Sequence, residues 1–301
     1  MRRFLSVFSR LAAAVALVCA AACGPSAPAP SPAEGEAHRI VSLAPAFTET
    51  LIALGAGERV VGIGKYDPEV PGRADVPRLG DAMSVDLESL TALQPDVVLV
   101  NARQLSDRLA PVASRIRVVV LPTDRLDDAL RAVDEIARLT GRADAGAALR
   151  KNVIESIDAA RSRAAARREK GKRPPRVLVV VQRRPYYTAG AGSFVDDLLR
   201  AVGAENVFGD VATPWPTVSE ESIVARAPDV ILDASVGDVD TEAGRETLRR
   251  DWERLSTIPA VKDGRVRVIR EDAIFRAGPR IPEALATLER LLYGTAPGEA
   301  R

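Results

Sequence analysis

Tyr66, Tyr186, Tyr187, Trp215 and Phe275 stand out in a chain that is only 4% aromatic. Each follows, closely or by one loop, an apolar run that reads as a β-strand. Flat aromatic faces gathered in loops suit a large planar ligand. Cations lie among them: Arg183 and Arg184 precede the tyrosine pair and Arg276 follows Phe275, and guanidinium groups can clamp a carboxylate or a phosphate. Pro45 and Asn101 also directly follow candidate strands. Chemistry that makes or breaks bonds has fewer candidates. The chain has one histidine, His38, and two cysteines, Cys19 and Cys23, all at or before the start of the expected folded body. No cluster of His and Cys offers a zinc site or a thiol nucleophile, and neither a metal nor a cofactor of the protein's own is expected.

The elements that must hold these residues alternate. RIVSLAP, from Arg39, reads as a strand, and AFTETLIALGAG as a helix stopped by Gly55 and Gly57. RVVGIGK is a second strand. VDLESLTALQPDVVLV is a short helix, a Pro95-Asp96 turn and a buried strand. RVVVLP, apolar without interruption, is expected to be a strand covered on both faces, as in a parallel sheet. The order then repeats. RVLVVV at 176–181 opens the second half, SFVDDLLRAVGAENVFG echoes FTETLIALGAGERVVG, and VSEESIVARAPDVILDAS at 218–235 repeats VDLESLTALQPDVVLVNA at 85–102 with about half its positions identical. RVRVI closes the second copy. The fold class is therefore α/β: two similar doubly wound lobes.

Between the copies, residues 124–173 read as two helices split at Thr140-Gly141. The second, Ala143 to about Glu169, would measure ~40 Å and bridge both lobes before Pro174 and Pro175 stop it. Its charged end, Arg161 to Arg176, carries no interleaved aromatic and reads as a solvated helix end, not a nucleic-acid patch. In an open parallel sheet ligands bind beyond the carboxyl ends of the strands, which places a cleft between the lobes and the residues named above within it.

The N-terminal MRRFLSVFSRLAAAVALVCAAAC has the charged start, apolar run and small-residue end of a secretory signal, here residues 1–22. Ala20-Ala21-Ala22-Cys23 resembles a lipobox, which implies lipidation of Cys23 and anchoring to a membrane. Residues 23–37, rich in Pro, Ala and Ser, form a tether that cannot fold. The N-terminal lobe is then 38–123 and the C-terminal lobe 174–301. The chain has 301 residues with 42 Lys and Arg against 41 Asp and Glu, so no global field draws it to nucleic acid, and partners must be selected by local sites.

RIVSLAPAFTETLIALG, VDLESLTALQPDVVLV, AGAGSFVDDLL, TPWPTVSEESIVARAPDVIL and FRAGPRIPEAL together resemble the helical-backbone solute receptors of ABC importers, the group that binds cobalamin, haem and ferric siderophores. Motif order is most similar to the cobalamin branch. The resemblance implies a monomeric receptor in the periplasm or at the cell surface that hands a metal chelate to a permease. The strand-end positions give a ligand set of Pro45, Tyr66, Asn101, Arg183, Tyr187, Trp215 and Arg276, in which Tyr66 and Trp215 match cleft aromatics that the resemblance implies. The resemblance also implies that Glu88 and Glu221, at matching places in the two copies, dock onto arginines of the two transmembrane subunits. The residue-level alternative for this pair is carboxylates that complement the positive end of a helix. The chain departs from the cobalamin pattern where further cleft tryptophans are expected, at Asn101-Ala102 and at 80–83. A haem, a ferric siderophore or a modified corrinoid thus stays open as ligand. A chelatase-like enzyme using carboxylates, and a lipoprotein serving only a protein partner, are the alternatives from other classes.

Overall fold

The computed structural model describes residues 35–81, 84–101, 107–235 and 241–294. Cys19, Cys23 and most of the tether lie outside them, as do Ala82, Met83, Ala102 and Arg103.

In the N-terminal lobe, β1 (Ile40–Ser42), β2 (Val60–Ile63), β5 (Val97–Val100) and β6 (Arg117–Val120) form a parallel sheet in the order β2-β1-β5-β6. A short hairpin, β3 (Gly80–Asp81) with β4 (Ser84–Val85), stands apart from it. In the C-terminal lobe, β9 (Glu205–Asn206), β7 (Arg176–Arg183), β11 (Val230–Asp233) and β12 (Val266–Val268) repeat that order, all parallel. The C-terminal sheet is extended beyond β7 by antiparallel β8 (Tyr186–Thr188) and β10 (Thr217–Val218).

The internal repeat extends to single hydrogen bonds. Helix α1 (Pro45–Ala53) follows β1, and α2 (Leu87–Ala92) is capped by Asp86, whose side chain accepts from the backbone N–H of Glu88 and Ser89. Its later counterpart, α6 (Glu220–Arg226), is capped in the same way by Ser219. Both helices run into a left-handed residue, Gln94 with φ 47° and Ala227 with φ 43°, the two described non-glycine residues of that kind. A proline follows each, and then an aspartate. Asp96 accepts the backbone N–H groups of His38 and Arg39 at 2.7 and 2.8 Å, where β1 begins. Asp229 accepts that of Arg176 at 2.9 Å, where β7 begins, and is gripped by the Arg173 guanidinium at 2.7 and 2.8 Å. The Pro-Asp pair in each copy thus satisfies the first donors of the strand alongside.

Asp229→Ala should destabilise the fold by about 1–2 kcal/mol, since it leaves the part-buried N–H of Arg176 without its acceptor, while the exposed Arg173 turns to water. Burial pushes the Asp229 carboxyl up, but the bonds from Arg173 and Arg176 win and hold it below the usual aspartate range. A lowered folded value gives stabilisation that is complete above the unfolded value of about 4 and disappears as pH falls through the folded one. The urea midpoint of the wild type should therefore drop more steeply below about pH 4 than that of Asp229→Asn.

Each sheet is covered on both faces. In the N-terminal lobe Ile40, Phe47, Leu51 and Leu99 build one cluster, and Val41, Leu79, Leu90 and Val98 the other. In the C-terminal lobe Val177, Leu198, Leu232 and Leu285 oppose Leu178, Phe208, Ile231 and Trp252. RVVVLP forms a parallel strand with a cluster on each face, as expected, but β6 lies at the sheet edge and is half-buried along its length, with Val120 38% exposed. Val118 and Val119 do face opposite clusters; the missing cover is the neighbour an edge strand lacks. The counterpart β12, also at an edge, is half-buried too.

Two helices connect the lobes. The first, α3 (Leu126–Leu139), gives Leu126 and Ala129 to the C-terminal core and Ala132, Ile136 and Leu139 to the N-terminal one. The second, α4 (Ala143–Glu169), is 27 residues, ~40 Å, and buries only Gly146, Val153, Ile157, Ala160 and Ala164. That spacing is one narrow stripe, so the rest of the helix is free to be charged. Gly146 sits where a Cβ would lie 2.4 Å from Ala137 Cβ, which lets α3 and α4 cross closely. At the far end the charge run is largely consumed by the fold. Arg163 and Arg167 both hold Glu289 on α9 (Ile281–Tyr293), and Arg167 also covers the Tyr293 ring at 3.9 Å.

Candidate functional site

The N-terminal wall is built by three strand ends. Pro45 opens α1 after Leu43 and Ala44 have followed β1, and Asn101 is exposed directly after β5. Tyr66, three residues beyond β2, is 64% exposed, with the Lys65 ammonium 5.1 Å from its ring centre. A ring that exposed cannot be a core residue. Its loop is nonetheless fixed. Arg78 donates to the carbonyls of Gly64, Lys65 and Asp67 at 3.1, 3.1 and 2.8 Å, and Thr48 on α1 donates to the buried Asp67 carboxyl. Burial pushes that carboxyl up, against the opposing pull of Thr48, the Gly64 N–H and the charges of Arg276 and Arg78.

The C-terminal wall starts from the β7–β8 hairpin, whose Arg184–Pro185 peptide is cis. Alternation along β8 sends neighbouring side chains to opposite faces. Tyr186 is buried against Trp252, with ring centroids 5.9 Å apart, and burial pushes its phenol up. Tyr187 turns outward and stacks on Trp215 at 6.3 Å and 20°. The loop that carries Trp215 is tied to the hairpin by the N–H of Thr188 on the Pro216 carbonyl, 3.1 Å, and that of Gly190 on the Pro214 carbonyl, 2.8 Å. A Cβ at Gly190 would lie 2.1 Å from the Thr213 carbonyl oxygen, so only glycine allows this approach. Trp215 is half-buried, one part packed against the C-terminal core, as is Phe275. Two aromatic rings thus form a shelf on this lobe, and a lone tyrosine projects from the other.

The arginines read from the sequence as ligand clamps are each already held by carboxylates of the chain itself. Arg183 donates to Asp251 at 2.7 Å and Ser235 at 2.8 Å and lies 3.6 Å from Asp233. Arg184 reaches the other Asp251 oxygen at 3.2 Å. Arg276 donates to Glu49 across the lobe boundary and lies 2.6 Å from Asp272. Sequence reading missed Thr48, Glu49, Asp67 and Arg280 in this region. The one signal was the polar run Thr48-Glu49-Thr50 inside an apolar helix, and all three prove buried.

Glu88 and Glu221 fall in the first turns of α2 and α6, both exposed. Among the described residues neither has an ion-pair partner. Its own backbone N–H and Ser219 hold the Glu221 carboxyl below the usual glutamate range. Two carboxylates at matching positions, one per lobe and neither ion-paired among the described residues, are therefore available to external cations. A cavity of about 520 Å³ lies elsewhere, at the amino ends of the C-terminal strands. Its Arg200, Arg226 and Arg176 are matched by Asp196, Asp210 and Glu205 at 2.9, 2.7 and 3.5 Å, and it faces away from the strand ends that carry the aromatics.

Residues 40–273 match the family model described as periplasmic binding protein. The vitamin B12-binding protein of Salmonella typhimurium is 29% identical over 252 residues, covering 81% of this chain and 86% of that protein. The periplasmic heme-binding protein RhuT from Roseiflexus sp. RS-1, in apo form, superimposes with a TM-score of 0.69 and 27% identity over 86% of this chain and 98% of its own. The periplasmic vitamin B12 binding protein BtuF of Vibrio cholerae has the same fold, TM-score 0.71 at 22% identity over 85% and 96% of the two chains. With two lobes of one topology, helices that connect them and aromatic side chains on strand-end loops, the chain belongs to the periplasmic binding protein family, as a substrate-binding protein of an ABC importer and not an enzyme.

Proposed function

We propose that this receptor captures a corrinoid of the cobalamin type outside the cytoplasm and delivers it to its permease. The observation that carries the choice of ligand is the pairing of exposed aromatics with cations that are already neutralised. Tyr66, Tyr187 and Trp215 offer apolar faces, whereas Arg183 and Arg276 are occupied by Asp251, Glu49 and Asp272, and the exposed Arg184 shares Asp251 with Arg183. A macrocycle fringed by uncharged amides fits such a surface without breaking an ion pair. Haem or a siderophore rich in carboxylates would have to displace Glu49 or Asp251 to be clamped. The corrinoid is cargo, and the protein has no cofactor of its own in this reading.

Equilibrium titration with cyanocobalamin, haemin and a ferric tricarboxylate siderophore tests the assignment. Tight binding of cyanocobalamin alone is expected. Binding of haemin with rejection of the corrinoid would overturn it in favour of a haem receptor. The exposed Tyr66 phenol is the feature that supports that second reading, since a phenolate can ligate ferric haem. Failure of every chelate to bind would leave the lipoprotein that serves only a protein partner.

Attachment through Cys23, with residues 1–22 removed and 23–37 as tether, belongs to the same proposal, as does a monomeric state. Cys23→Ser should move the protein from the membrane fraction to a detergent-free extract. Full recovery of the unsubstituted protein in that extract would exclude the anchor.

A further inference from the structure

Neighbouring residues of α1 reach in two directions. Thr48 holds Asp67, and so the Tyr66 loop of its own lobe. Glu49 reaches the other lobe: its Oε1 accepts from Arg276 and, at 3.4 Å, from Arg280. Both guanidinium groups return to Asp272 at 2.6 and 2.7 Å, and Arg280 is closed by Glu283 at 2.6 Å. Glu49 is 8% exposed and its Oε2 accepts no hydrogen bond. The backbone supports the same contact. A Cβ added to Gly278 would lie 3.2 Å from both Cβ and O of Ala46, so the segment between the two arginines is seated against the first turn of α1.

We infer that Glu49, gripped by Arg276 and Arg280, is the positioning residue that sets the separation of the two ligand-contacting walls. Lobes that meet over a modest polar boundary move relative to one another unless something holds them. A buried ion pair adds little net stability compared with its apolar replacement, yet breaking it on one side is strongly unfavourable, and it can select one arrangement among several. Here a single carboxylate oxygen takes two cations from one lobe, next in sequence to Thr48, which fixes the Tyr66 loop on the other. Shifting the lobes would strand a buried carboxylate. A receptor whose walls are preset loses less freedom on binding, and release slows accordingly. The link to release rests on the corrinoid reading above, whereas the clamp itself does not.

The test uses the full chain with Cys19→Ser and Cys23→Ser, spin-labelled at Ala92→Cys and Ala225→Cys, exposed and equivalent positions on α2 and α6. Electron double resonance without ligand reads the distance between the lobes. A narrow distribution is expected, broadened roughly twofold or more by Glu49→Gln and by Arg276→Gln and largely restored in Arg276→Lys, which keeps the charge. Cyanocobalamin should dissociate about tenfold faster from Glu49→Gln than from its parent. A role confined to fold stability would lower the melting temperature of both variants and leave the widths unchanged, and that result overturns the inference. Should Glu49→Gln not fold, Arg280→Gln carries the same comparison on a side chain 33% exposed, with the same overturning result. Broadened distributions in a protein whose parent binds no corrinoid would uphold the clamp and reject the ligand.

Discussion

Exchange of both Glu88 and Glu221 for alanine is expected to abolish uptake, by about a hundredfold or more, while the receptor's affinity for its ligand stays within about twofold. The two carboxylates stand at the same register of the two copies, each in the first turn of a short capped helix, exposed and without an ion-pair partner among the described residues. Neighbouring acids are not equivalent to them. Glu220, one residue from Glu221, is held by Arg254 at 3.0 Å, and Asp86 is used as the cap of α2. An ABC permease with two transmembrane subunits presents related surfaces to the two lobes, and a receptor built from a repeat can meet both with the same residue. One charge-assisted contact that becomes desolvated on docking loses on the order of 2–5 kcal/mol when truncated, so a single variant should be impaired and the double variant silent. Uptake assays in cells expressing each variant, with titration of the purified receptors in parallel, check the pair. Normal uptake by the double variant would return both residues to their helix-start role, in which each complements the positive end of its own helix and contributes nothing to docking.

How much of this was legible in the sequence depends on the range of the interaction. Local chemistry was legible. The repeat of Glu-Ser, Pro-Asp and an apolar run encodes a cap, a left-handed turn, an aspartate over the next strand's first N–H groups and a parallel strand, and both copies fold that way. The bridging helix was legible from Thr140-Gly141 at one end and Pro174-Pro175 at the other, because breakers act on their own chain. The edge position of β6 was not legible, since an apolar run carries no record of how many neighbours the strand has. Ion pairing was not legible either. Arg183 with Asp251 and Arg276 with Glu49 are separated by 68 and 227 residues, and only the fold brings them together. Of the tyrosine pair, the sequence could say that the two point to opposite faces but not which one turns inward. That was settled by Trp252, far along the chain, which packs on Tyr186 and leaves Tyr187 to Trp215.

Trp215→Ala and Tyr66→Ala should each weaken cyanocobalamin binding by about ten- to thirtyfold, on the order of 1–2 kcal/mol, and should differ in what they do to the empty protein. Tyr66 is 64% exposed and its loop is fixed by backbone bonds to Arg78 and by Asp67, none of which needs the ring. Its truncation should leave the melting temperature unchanged within about 1 °C. Trp215 is half-buried against the C-terminal core and stacked on Tyr187, so its truncation should also lower stability by about 1–2 kcal/mol, less than the ~3–5 kcal/mol of a full core aromatic. Trp215→Phe keeps a flat ring between Pro214 and Pro216 and should recover most of both losses. Calorimetric titration and thermal melting of the three variants separate binding from packing, because the two quantities move together for Trp215 and apart for Tyr66. Affinities within about twofold of the parent for both alanine variants would remove the aromatic cleft from the argument and with it the case for a corrinoid. A large loss of affinity at Tyr66 with an unchanged melting curve is the result that a core or scaffolding role cannot produce.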